Sequence, residues 1–158
     1  MDVGKKMEHE TAISEAILLR DQSSPCVMIG ESSGDPVPAG SAGSTAASAF
    51  VRRIIEARAI RRKFFDEQLF ADPAWDMLLE LYALDCEGHR ISVSKLSVAA
   101  GVPCTTTLRW IDKLESECLI VRAPDPLDAR RVWVALSPTG ARTMRSYIER
   151  VSAVGLEI

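Results

Sequence analysis

Two clusters hold the side chains best suited to chemistry, and that chemistry is hydrogen bonding to a polyanion, not the making of bonds. The first is Thr105, Thr106, Leu108, Arg109 and Lys113; the second is Asp128, Arg130 and Arg131. Arginine carries a planar fork of donors that matches the two acceptors on a guanine edge in the major groove of duplex DNA. Short threonines permit close approach, and Thr106 and Lys113 suit phosphate contacts at the margin. Arginine on a stiff loop suits a narrow minor groove, where the negative potential favours a guanidinium. Neither of the two histidines falls in a nucleophile or metal-ligand pattern, and no glycine motif that cradles phosphate is present. No enzyme activity, cofactor or metal is expected. Cys26, Cys86, Cys104 and Cys118 are scattered without a C-x-x-C pair, which argues against a zinc site and a disulfide framework. Reduced, mostly buried thiols are the plain reading, with a redox-sensing thiol as the alternative.

These clusters need elements to hold them. Asp72-Pro73 supplies an N-cap and a first-turn proline for a helix whose stripe is Trp75, Leu78, Leu79, Tyr82 and Cys86, ended by Gly88. Ser92 or Ser94 caps a short helix, Gly101 supplies a turn, and Pro103 opens the next helix. In that helix Thr107, Trp110, Ile111 and Leu114 recur at i, i+3, i+4 and i+7, which predicts the buried side. Cys104, Thr105, Leu108, Arg109 and Asp112 are left facing outward. Leu119–Arg122 and Val132–Leu136 read as strands, joined by a loop with two prolines and with Arg130 and Arg131 at its return. Asp128 is placed to orient Arg130 through a carboxylate–guanidinium bond. Ser137-Pro138 restarts a helix with the stripe Met144, Tyr147, Ile148, Val151 and Val154. Two helices around a turn, then a β-hairpin, make a helix-turn-helix with a wing.

The flanks say less. The chain of 158 residues carries a formal net charge of −3, unevenly spread: residues 1–43 sum to −4 and residues 90–145 to +4. The local field decides docking on phosphates, so the acidic total does not exclude DNA. Residues 1–45 read as an N-terminal arm and flexible linker, rich in Gly, Ser, Ala and Pro from Gly30 to Ser48. Residues 46–158 read as the winged domain with flanking helices. A helical period from about Ala46 sets Phe50, Val51, Ile54 and Ile55 on one stripe, extended by Phe64, Phe65 and Leu69. Arg58, Arg61 and Arg62 share another face, read as solvated or as a basic surface near DNA or a partner subunit. No apolar run has the length of a membrane span and nothing N-terminal looks like a signal peptide, so a cytoplasmic protein with no membrane contact is expected.

The segment from about Ala46 onward resembles the MarR family of bacterial winged-helix transcription regulators. Asp125 through Gly140 is similar to that family's wing signature, an Asp-x-Arg, a strand, then Leu-Ser/Thr and Gly. Arg109 through Leu114 resembles its recognition helix. The resemblance implies a mainly α fold with a small β-hairpin wing (α+β), flanked by dimerisation helices. It further implies a homodimer reading pseudo-palindromic double-stranded DNA, with Thr105, Thr106 and Arg109 in the major groove and Arg130 in the minor groove. A small-molecule effector between the dimerisation helices and the DNA-binding lobe also belongs to such proteins, and Phe64, Phe65, Trp75, Met77 and Tyr82 are either its lining or plain core. Two departures stand out. One helix of about 16 to 18 residues follows the wing where the family usually has two, and Cys118 stands where a glycine is common. A winged-helix module that binds protein without specific DNA recognition is the alternative reading.

Overall fold

The computed structural model describes residues 42–155, so the expected arm lies almost wholly outside the described residues. Five α-helices surround a three-stranded antiparallel sheet. The order is α1 Ala42–Arg61, a 3₁₀ turn Glu67–Phe70, α2 Pro73–Glu87, β1 Ile91–Ser92, α3 Val93–Ala100, α4 Cys104–Ser116, β2 Ile120–Asp125, β3 Asp128–Leu136 and α5 Pro138–Ala153. The sheet order is β1-β3-β2, with Ile91 opposite Val134 and Ile120 opposite Leu136. The long hairpin β2–β3 is the wing, and β1 ties its base to the helices.

Local rules place most boundaries. Asp72 caps α2 by accepting from the Trp75 N–H, and Ser92 caps α3 by accepting from the Lys95 N–H. Helices α2 and α3 end on Gly88 and Gly101, both at φ 69°, with the paired 6→1 and 5→2 hydrogen bonds of a Schellman motif. Helix α1 starts at Ala42, inside the stretch expected to be linker, and stops at Arg61.

The core gathers Val51 of α1, Met77, Leu79 and Tyr82 of α2, Leu96 of α3, Ile111 and Leu114 of α4, Ile120 and Val134 of the sheet, and Met144 and Ile148 of α5. Met77 and Tyr82 are therefore core, not a ligand lining. Trp75 sits edge-on to Tyr147, ring centroids 4.9 Å apart. Phe64, Phe65 and Leu69 do not extend the buried stripe: α1 has ended before them, and they are 76%, 56% and 71% exposed. The arginine face is not solvated either. Arg58 binds Asp76 at 2.5 Å, Arg62 lies 3.7 Å from the same carboxylate, and Arg61 stacks over Phe70 at 4.7 Å. A second bracket joins α1 to α2, with Arg52 held by both oxygens of Glu80 and of Glu87 at 2.8–2.9 Å. Among the cysteines, Cys86 is a half-buried thiol and Cys104 an exposed one, while Cys118 is disulfide-bonded. The expectation of reduced, mostly buried thiols thus fails at Cys104 and Cys118.

Candidate nucleic-acid interface

Helix α4 presents the first cluster. Thr107, Ile111 and Leu114 are buried and seat the helix, and the Thr107 hydroxyl donates to the Pro103 carbonyl at 3.2 Å. Trp110 was expected with them and is instead exposed. It lies 60° round the helix from Thr107 on the side away from Ile111, and its bulk falls on the flank of the seam. Thr105, Leu108, Arg109 and Lys113 are exposed and Thr106 is half-buried, so the outward face matches the sequence pattern.

The start of α4 is open. Asp72, Ser92 and Ser137 cap α2, α3 and α5 with their side chains, whereas α4 follows Pro103 and has no side-chain cap. Its first internal bond is the Thr107 N–H to the Pro103 carbonyl, leaving the N–H groups of Cys104, Thr105 and Thr106 without a helical acceptor. The positive end of the helix dipole lies there as well.

The end of α4 is closed. Cys118 takes φ 57°, the one non-glycine at positive φ among the described residues. Its N–H donates to the Glu115 carbonyl and the Leu119 N–H to that of Leu114, completing a third Schellman motif with cysteine in the glycine position. Ser137, 1% exposed, then fastens α5 to this turn. Its hydroxyl donates to the Cys118 carbonyl at 2.5 Å and accepts from the Gly140 N–H at 2.9 Å, and its own N–H donates to the Leu119 carbonyl. A Cβ on Gly140 would stand 1.9 Å from that same Leu119 oxygen. The Ser and Gly that close the wing signature are thus a structural lock behind α4.

The wing corrects the sequence reading in three respects. The stretch expected as a loop carries strand pairing out to Asp125 opposite Asp128, with Pro126-Leu127 as the turn and a register shift between Pro124 and Asp125. Arg130 and Arg131 accordingly sit on β3. Asp128 does not orient the Arg130 guanidinium; its Oδ1 accepts from the Arg130 backbone N–H at 3.1 Å, and its Oδ2 lies 3.6 Å from Arg131. Arg131 is a strut, 3.3 Å from buried Asp125 and stacked over Trp133.

The cations of this lobe separate into two sets. Arg122 spans Asp112 and Glu115, Lys113 pairs with Glu117, and Arg131 pairs with Asp125 and Asp128. The side chains of Arg109 and Arg130 are exposed and make no ion pair or hydrogen bond among the described residues. The charge of Glu117 is favoured by the Lys113 ammonium, which holds its carboxyl below the ordinary value.

A cleft of about 200 Å³ opens where α1, the start of α2 and the α3–α4 turn meet. Arg58, Arg61, Arg62, Phe70 and Val102 are among its walls, and Arg58 Nη2 and Arg61 Nε are buried without a hydrogen-bond partner among the described residues. The sequence reading missed this cleft. The i, i+3 and i+4 spacing of its arginines was visible, but not that α2 folds over them.

The element order alone decides the architecture. The fold is a winged helix. No family model matches the chain, and no curated protein does. Solved structures that resemble it include S. aureus MepR in complex with DNA, at 18% identity and TM-score 0.48 over 68% of this chain and 86% of that one. Heme-free PefR resembles it at 17% and 0.40, over 69% and 95% of the two chains. A probable transcriptional regulator from Pseudomonas aeruginosa does so at 26% and 0.40, over 54% and 65%. No described helix is long and apolar enough to cross a membrane.

Proposed function

We propose that this chain is a MarR-like transcription regulator that binds double-stranded DNA as a homodimer, with α4 in the major groove and the wing in the minor groove. One observation carries the reading. In a lobe whose other α4 and wing cations are committed to internal carboxylates, Arg109 on α4 and Arg130 on the wing are exposed and unpaired among the described residues. An unpaired guanidinium gains most from a phosphate or base edge, since no internal partner must first be released. Thr105 and Leu108 join Arg109 in reading base edges, and Thr106 with the uncapped start of α4 holds a phosphate. Lys113, Asp128 and Arg131 are assigned a lesser share, because each is engaged within the lobe. The arginine cleft is the proposed seat of a small effector, supported by its two buried guanidinium nitrogens without partners.

The test is an anisotropy titration of the full chain against duplexes selected from a randomised pool, repeated across salt concentrations. Binding that enriches a sequence and weakens steeply with salt supports the proposal. No enrichment and no binding near physiological salt contradicts it and favours a protein-binding winged helix.

A further inference from the structure

We infer that Leu127, at the tip of the wing, is a specificity residue that favours A·T over G·C pairs in the minor groove; the inference rests on the DNA-binding reading above. Two-residue hairpin loops normally need positive φ at one or both central positions, which Asn-Gly or a leading glycine supplies. Here the central pair is Pro126-Leu127, and neither takes positive φ. The turn therefore lies outside the classes that match strand twist, and the pairing register shifts at Pro124/Asp125. Asp125 steadies it. This carboxylate, with its side chain 7% exposed, accepts the Leu127 N–H at 2.9 Å and faces Arg131 at 3.3 Å. A buried acid, a proline and a strut thus hold a leucine that is 77% exposed.

The neighbourhood argues for the occupant. Arg130, the unpaired wing cation, follows on β3, so a polyanion drawn to it comes within reach of the tip. Minor-groove walls are deoxyribose C–H, and leucine is among the side chains that enter between them. At an A·T pair the floor shows only acceptors, whereas guanine adds an N2 amino donor. Leucine set against that amino group offers no acceptor and excludes the water that would otherwise serve, so a G·C step is penalised.

Inosine separates the grooves, because an inosine·C pair has the major-groove edge of G·C and a minor groove without the amino group. In a duplex enriched by the full chain, each A·T pair is replaced in turn by G·C or by inosine·C. At wing-contacted positions, G·C is expected to bind roughly tenfold more weakly while inosine·C binds like A·T. Leu127→Ala removes that difference, Leu127→Met retains it, and Arg130→Ala keeps it while reducing the salt dependence. The inference is overturned if Leu127→Ala preserves the discrimination, or if inosine·C weakens binding as much as G·C at every position. A chain that enriches no duplex overturns both this and the proposed function; enrichment without a Leu127 effect overturns this alone.

Discussion

The two ends of α4 are built on opposite principles. At its C-terminal end the chain is tied down: the Schellman bonds close the helix, Ser137 uses its hydroxyl twice, and Gly140 lets α5 come within contact of the Leu119 carbonyl. At its N-terminal end no side chain caps the helix, and the arginine one turn along has no partner among the described residues. The closed end fixes where the open end points. On the proposed function, the open end is the side that meets DNA, and the rigidity that holds it in place is supplied from behind.

The contrast is broken most severely at the back. Gly140→Ala puts a methyl group into the Leu119 carbonyl, and a loss of about 3 kcal/mol in stability is expected from thermal or denaturant unfolding. Arg109→Ala at the front should cost about 1–3 kcal/mol of binding and relax preference at one or two base positions, with unfolding unchanged. A uniform loss across all sequences would make Arg109 a phosphate contact instead. Ser137→Ala leaves the Gly140 N–H and the Cys118 carbonyl short of a partner, for an expected loss of about 1–2 kcal/mol in stability. Cys118→Gly, compared under reducing conditions, should stabilise the fold by about 1 kcal/mol, because glycine takes φ 57° without the Cβ penalty. A destabilised variant would show that the cysteine side chain contributes more than its backbone costs.

A smaller effect reports on the α1–α2 bracket. The Arg52 guanidinium, with help from the Ser48 hydroxyl, holds the Glu87 carboxyl at about 2, against an ordinary value of 4.5. A carboxyl depressed in the folded state stabilises it above its unfolded value and loses that contribution as protons bind. Stability should therefore decline as pH falls from about 4.5 toward 2, and Glu87→Gln should flatten that part of the curve.

Much of this was legible because it is local. The Asp72-Pro73 and Ser137-Pro138 starts, the Gly88 and Gly101 ends, and the outward face of α4 follow from capping and helical spacing within a few residues. What escaped was set by contacts distant in sequence. Trp110 fits the stripe by spacing, yet the seam is narrow enough for Thr107, Ile111 and Leu114 to fill it. Arg130 and Arg131 look alike in sequence, and it is Asp125 across the hairpin, with Trp133 two residues along β3, that makes Arg131 the strut. The prolines suggested a loop where strand pairing prevails up to Pro126. Ser137 and Gly140 gave a cap and a small residue, but their contact with Cys118 and Leu119 lies outside any local pattern.

The central claim is that Arg109 and Arg130 are held ready for DNA, and the salt dependence of binding tests it most directly. Anisotropy titrations of the wild-type chain, Arg109→Ala and Arg130→Ala against the enriched duplex should each give a linear plot of log affinity against log salt. The account predicts that Arg130→Ala lowers the slope by about 0.9, while Arg109→Ala chiefly lowers discrimination against altered sites. Wild-type affinity, slope and discrimination in both variants, with unfolding unchanged, would contradict it.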